Sequence, residues 1–189
     1  PVNWRILDND LIKDSSQLTP ADFAHFYQLI VQAIGQGIRQ FVVLTGTDTL
    51  SYLAAFLAEC FAGSHISIVV TGAMRPLLDS NVLTDYRIDP QSDATQNLFD
   101  ACKLARHGEP GVRVCFSGED WPAQTVQKIH SHDLMAFVGH HRAGYPANSY
   151  TAKITQAQHQ LWLEDRLSQL PQVFGSLSHA NIATLYLTP

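Results

Sequence analysis

Residues 40–50 read QFVVLTGTDTL. The first six positions, Gln40 to Thr45, carry no charge and are rich in β-branched residues, which predicts a strand buried on both sides. Gly46 ends it, and Thr47, Asp48 and Thr49 lead into a helix predicted from about Leu50 to Ala62, apolar nearly all round. A strand covered on both faces belongs in a parallel sheet, because parallel neighbours need crossover connections and the crossover helices bury both sides.

The segments on either side repeat this alternation. Thr19-Pro20 has the form of a helix cap followed by proline at the first helical position. Phe23, Phe26, Tyr27, Ile30, Val31 and Ile34 then recur at helical spacing along one apolar face, and Gly35 and Gly37 supply the stop. Further on, Ile66 to Thr71 is a second apolar run, ending at Gly72. Ser92-Asp93 opens a helix predicted to reach His107, and Gly111 to Ser117 is a third strand. The expected class is therefore α/β, a mostly parallel sheet flanked by helices on both faces. From Gly139 to Gln156 the chain is polar and loop-like. A helix is expected over Gln158–Leu170, and a closing strand over Ile182–Leu187.

The 189 residues, 46% hydrophobic and 15% charged, suffice for one core and fall in the range of soluble globular proteins. A net charge of −5 with nine histidines offers no basic face for a phosphate backbone. No apolar run approaches the roughly 20 residues a membrane span needs. Neither nucleic acid nor membrane is an expected partner. Cys60, Cys102 and Cys115 each lie among apolar residues and read as reduced core thiols.

Ligands of open α/β sheets bind beyond the carboxyl ends of the strands, and Gly46-Thr47-Asp48-Thr49 falls at such an end. Short hydroxyls, a carboxylate and free N–H groups at a helix start favour an anion or a developing oxyanion. A threonine is a weak nucleophile that needs a base nearby, and a lysine is one solution. The same residue types serve equally as helix caps and a first-turn acid, so spacing alone leaves both readings open. A phosphate-binding P-loop is excluded because its Gly-Lys-Ser/Thr ending is absent. His130, His132 and Asp133, with His140 and His141, have spacing that zinc can use, but no cysteine ligand or supporting shell accompanies them and no metal is expected.

Four stretches in order, DSSQLTP (14–20), LTGTDTL (44–50), VTGAMRP (70–76) and SDATQNL (92–98), resemble the bacterial-type L-asparaginase family. The resemblance covers about residues 1–137 and the family's N-terminal domain, with DSS closest to its cytoplasmic type I members. It implies hydrolysis of L-asparagine, and of L-glutamine as a further substrate, through a threonine acyl-enzyme. It also implies no cofactor, a cytoplasmic location and a homodimer or homotetramer. Thr47 matches the hydroxyl of the family's second catalytic cluster, Asp48 the carboxylate that holds the substrate α-ammonium group, and Ser15 the partner of the α-carboxylate. An ungapped match through VRVCF (112–116), supported by Phe137, puts Lys128 on the catalytic lysine that assists Thr47 and a water. Asp14, Ser16, Gly46 and Ala73 complete the implied substrate-binding set.

The sequence departs from the family in several places. Family members open with a central strand ending in Thr-Gly-Gly-Thr, which carries the favoured nucleophile, and a flap tyrosine follows; neither precedes Asp14. The chain is thus expected to be a piece: residues 1–138 an N-terminal domain lacking its first strand, 139–181 a linker and extra helix, 182–189 the start of a truncated C-terminal domain. Thr45 stands where the family has histidine and Ala94 where it has glycine. About ten extra residues lie between Pro76 and Asp93, around LLDSNVLTDYRI (77–88), an expected lid or interface loop that bears on substrate choice. Two readings stand beside the hydrolase. One is a non-catalytic amino-acid-binding or regulatory homologue that keeps Ser15 and Asp48; the other is the amide-hydrolysing subunit of a tRNA-dependent amidotransferase.

Overall fold

The computed structural model of the protein describes residues 4–79, 83–140 and 155–178. A 3-10 turn at Ser15–Gln17 leads into α1 (Pro20–Gly35), β1 (Gln40–Leu44), α2 (Leu50–Cys60) and β2 (Ser67–Thr71). After them come α3 (Ala94–His107), β3 (Gly111–Phe116), β4 (Glu119–Pro122), β5 (Gln127–Lys128), β6 (Phe137–Val138) and α4 (Gln156–Ser178). The start of α1 follows from its cap: the Thr19 hydroxyl accepts the Asp22 N–H, and the Asp22 carboxylate accepts the Thr19 N–H at 2.7 Å. Lys13 Nζ donates to both Asp22 oxygens at 2.8 and 2.9 Å. Burial pushes the Asp22 carboxyl up, but the Lys13 and Thr19 partners outweigh it and hold the group below the usual carboxylate range.

Strands run in the order β1-β2-β3-β4. The first three are parallel, and β4 lies antiparallel on β3. Side chains alternate across this sheet as the pleat requires. Phe41, Val43, Ile68, Val70, Val112, Val114 and Phe116 share one core with α1 and α2, while Val69 and Cys115 pack on the other face with Ala101 and Ala105 of α3. Helices therefore cover both faces, and the fold is α/β with a mostly parallel sheet. α4 adds a further layer, burying Leu163 and Leu170 in the α1–α2 core. Its Trp162 ring lies 6.0 Å from that of Phe61.

Three local expectations need correction. β1 is not buried on both sides: Leu44 is 55% exposed, and among the described residues the strand pairs only with β2. The fully buried strand is β2, which has a neighbour on each edge. α2 is less uniformly interior than its composition predicts, with Tyr52 66% exposed. Residues 119–122 form a strand where none was expected. The two-residue turn Ser117-Gly118, with φ of +51° and +82°, folds β4 back on β3, and the glycine makes the second left-handed position inexpensive.

Within the extra loop, Leu78 and Ile88 form an antiparallel bridge. The expected closing strand Ile182–Leu187, with the rest of 182–189, lies outside the described residues, as does His141.

Candidate functional site

Because β1 and β2 are parallel, the segments that follow them emerge at the same end of the sheet. Thr47 and Asp48 sit in the turn between β1 and α2. Lys128 comes from β5, about eighty residues on, and its side chain is 18% exposed. Lys128 Nζ donates to Thr47 Oγ1 at 2.8 Å and pairs with Asp48 Oδ1 at 2.7 Å. The Asp48 side chain is 56% exposed, so the carboxylate keeps a face toward solvent.

Ser15 joins this group from the turn before α1. It is buried, its Oγ accepts the Asp48 N–H at 3.3 Å, and its carbonyl accepts the Thr49 hydroxyl at 3.1 Å. Thr49 stands at the helix start, as the spacing suggests, but makes no side-chain cap bond; its hydroxyl is used to hold Ser15 instead. Gly46 seats the same serine, since a Cβ there would overlap the Ser15 side chain. Asp14 and Ser16 engage each other: the Asp14 carboxylate accepts the Ser16 N–H at 2.9 Å and its hydroxyl at 2.6 Å. These two bonds from Ser16 hold the Asp14 carboxyl below its ordinary range.

Ala73 lies in the segment after β2. Gly72 packs there against the Thr45 carbonyl so closely that a Cβ would collide with it. Gly46 and Ala73 both line a cavity of about 650 Å³ whose walls are mainly apolar, among them Leu11, Leu18, Phe26, Leu44 and Leu98. Thr47, Asp48 and Lys128 do not line it. The cavity adjoins the polar cluster, where the ionic groups meet, through Gly46.

Two further side chains, Asp93 and Asn97, have no site role in the sequence reading, where Ser92-Asp93 serves only as a helix start. The Asp93 carboxylate accepts the N–H groups of Met74 and Arg75 at 3.0 and 2.9 Å. Asn97 is buried, donates to Gly72 O and Asp93 Oδ2 at 3.0 Å each, and accepts the Ser117 N–H at 3.0 Å. The i, i+4 spacing of the two, Asp93 just before α3 and Asn97 in its first turn, is the signal that could have paired them.

Among the described residues the cysteine thiols do not join this cluster. Burial pushes the Cys60 thiol up to about 11 and the Cys115 thiol up to about 12, which makes both poor nucleophiles. Among the described residues no three His, Cys, Asp or Glu side chains are grouped to hold a metal. Among those residues, too, no helix is long and apolar enough to cross a membrane.

Comparison with known proteins bears on this geometry. The family model "Asparaginase, N-terminal" matches residues 7–160. An L-asparaginase of Thermococcus kodakarensis is 33% identical over 126 residues, 66% of this chain and 34% of that protein. A glutamyl-tRNA(Gln) amidotransferase subunit of Methanopyrus kandleri is 31% identical over 118 residues, 61% of this chain and 23% of that one. The solved structure of the thermostable Thermococcus kodakarensis L-asparaginase superposes with a TM-score of 0.58 and 32% identity, over 68% of this chain and 36% of the other. The chain thus spans about a third or less of the length of these relatives. With a family match over most of its residues and the same fold, the chain belongs to the asparaginase family, to whose N-terminal domain it corresponds.

Proposed function

We propose that the chain supplies the substrate-anchoring and hydroxyl-activating part of an asparaginase-type amidohydrolase that converts L-asparagine into L-aspartate and ammonia. The observation that carries this reading is the approach of Lys128 Nζ to Thr47 Oγ1 and Asp48 Oδ1, at 2.8 and 2.7 Å, across about eighty residues of chain. A carboxylate for the α-ammonium group and a serine with backbone donors for the α-carboxylate would hold a free amino acid by its charged ends. Asp48 and Ser15 are cast in these roles, with Asp14, Ser16, Gly46 and Ala73 around them.

In the chemical step a threonine hydroxyl adds to the amide carbon while its proton passes to Lys128, which hands one of its own to the Asp48 carboxylate paired with it. As the C–N bond breaks, the lysine returns the proton and ammonia leaves. Water then cleaves the ester and restores the hydroxyl. Thr47 is the hydroxyl this chain offers. A cytoplasmic, homo-oligomeric state and use of L-glutamine belong to the same reading.

Ammonia release from L-asparagine tests it. Lys128→Ala is expected to lower kcat on the order of a thousandfold with the fold intact, as loss of a positioned base does. Asp48→Asn should act mainly on affinity, read as weaker binding of L-aspartate. Near-normal turnover in Lys128→Ala would remove the lysine from the mechanism. The similarity to an amidotransferase component favours a second reading, in which ammonia passes to a partner. Release of ammonia from free L-asparagine without any partner would count against that alternative.

A further inference from the structure

The segment Gly72–Arg75 has no regular structure of its own, yet its backbone is tied at four points to the start of α3. Asn97 takes the Gly72 carbonyl, Asp93 takes the Met74 and Arg75 N–H groups, and Ser92 Oγ donates to the Arg75 carbonyl at 3.1 Å. An aspartate at a helix start ordinarily accepts an N–H of its own first turn. Asp93 makes no such bond, and Ser92 Oγ accepts the Ala94 N–H at 3.1 Å in its place. The helix is therefore capped by one residue, while the neighbouring carboxylate is given wholly to another segment and to Asn97.

What those ties leave over is the peptide of Ala73. Among the described residues neither its N–H nor its C=O has a hydrogen-bond partner, although the backbone on both sides is fixed. Ala73 lines the cavity together with Gly46, the residue before Thr47. Asn97 also reaches the other side of the site. It holds the Ser117 N–H, and the Ser117 hydroxyl donates to Leu134 O at 2.6 Å, in the connection from β5, which carries Lys128, to β6.

We propose that Asp93 and Asn97 are positioning residues of the substrate pocket: they hold Gly72–Arg75 so that the Ala73 peptide faces the bound amino acid, and Asn97 sets that segment against the β5–β6 connection. The assignment rests on the asparaginase-type reading above. It differs from a plain helix-start role because its consequences fall on ligand affinity at Ala73.

The test is a titration of the isotopically labelled chain with L-aspartate, following backbone amides by NMR. In the unsubstituted chain the Ala73 amide is expected to shift together with those of Thr47 and Asp48. Asp93→Asn turns one acceptor into a donor opposed to an N–H. The Kd for L-aspartate should then rise about tenfold or more, with the Ala73 response reduced and the Thr47 response retained at saturation. Asn97→Ser, which is shorter and still polar, bears the same expectation should Asp93→Asn fail to fold. If Thr47 and Asp48 respond while Ala73 stays silent, or if a folded variant binds with unchanged affinity, the inference is overturned and the asparaginase-type reading stands. If no amide responds to saturating L-aspartate, that reading falls and this one with it.

Discussion

Polar side chains are buried in two parts of this molecule on opposite terms. At the carboxyl ends of the strands, Asn97, Thr71 and Ser15 are 1%, 0% and 6% exposed, and each is matched. Asn97 makes three hydrogen bonds, the Thr71 hydroxyl donates to Cys115 O at 2.6 Å, and Ser15 accepts the Asp48 N–H. Beneath α4 the reverse holds. His159 is 7% exposed, and among the described residues neither of its ring nitrogens, nor Trp162 Nε1, has a hydrogen-bond partner. Its ring stacks on Trp162 at 5.7 Å, with the His65 ring 6.4 Å away. Burial pushes the His159 pKa down, and the nearby Arg39 and His65 side chains add to the effect.

A satisfied buried network specifies geometry, whereas an unpaired buried polar group only costs stability. The sheet ends are thus the part of the fold whose shape is dictated residue by residue. The α1–α4 contact is held by aromatic and aliphatic packing that tolerates a poorly placed polar ring.

The largest effect expected from this contrast is at Asn97. Replacement by Leu strands the Ser117 N–H and the Gly72 carbonyl, and should cost about 3 kcal/mol in urea unfolding. A loss well below this would mean that the matched network is less decisive than its geometry suggests.

At His159 the effect is smaller and depends on pH. The folded-state pKa lies below the unfolded value, so the protonated form is disfavoured in the fold. Its contribution to stability is full above the unfolded value of about 6.5 and is lost as pH falls from there toward the folded pKa. His159→Phe should flatten that dependence and gain about 1 kcal/mol on the acid side. Parallel pH profiles for variant and parent would break the contrast.

Smallest is Thr49→Val, which removes one partly exposed hydrogen bond to Ser15 O and should cost about 0.5 kcal/mol. A much larger loss would return Thr49 to the role of helix cap that the structure denies it.

Much of this arrangement can be read in the chain itself. The Thr19-Pro20 cap, the apolar stripe from Phe23 to Ile34, and the strands ending near Thr45 and Thr71 appear in the sequence to within a residue or two of where they fold. Each rests on contacts made within a few positions. β4 escapes such a reading because its cue, Ser117-Gly118, is short and Glu119–Pro122 has no strand-like alternation. Leu44 escapes it because an apolar run looks the same at a sheet edge as at its centre, and only the pairing of β1 with β2 alone among the described residues sets it apart.

By itself the sequence determined the α/β class, the carboxyl-end position of Thr47 and Asp48, and the match of four short motifs to one family, since periodicity, caps and glycine stops are local physics. Tertiary structure alone decided the 2.8 Å approach of Lys128 to Thr47, a pair that the family match had only implied, and that Thr49 serves Ser15 and Asn97 ties the Gly72 segment to the β3–β4 turn. Those contacts arise from stacking distant strands side by side, and no local pattern encodes which loops such stacking will bring together.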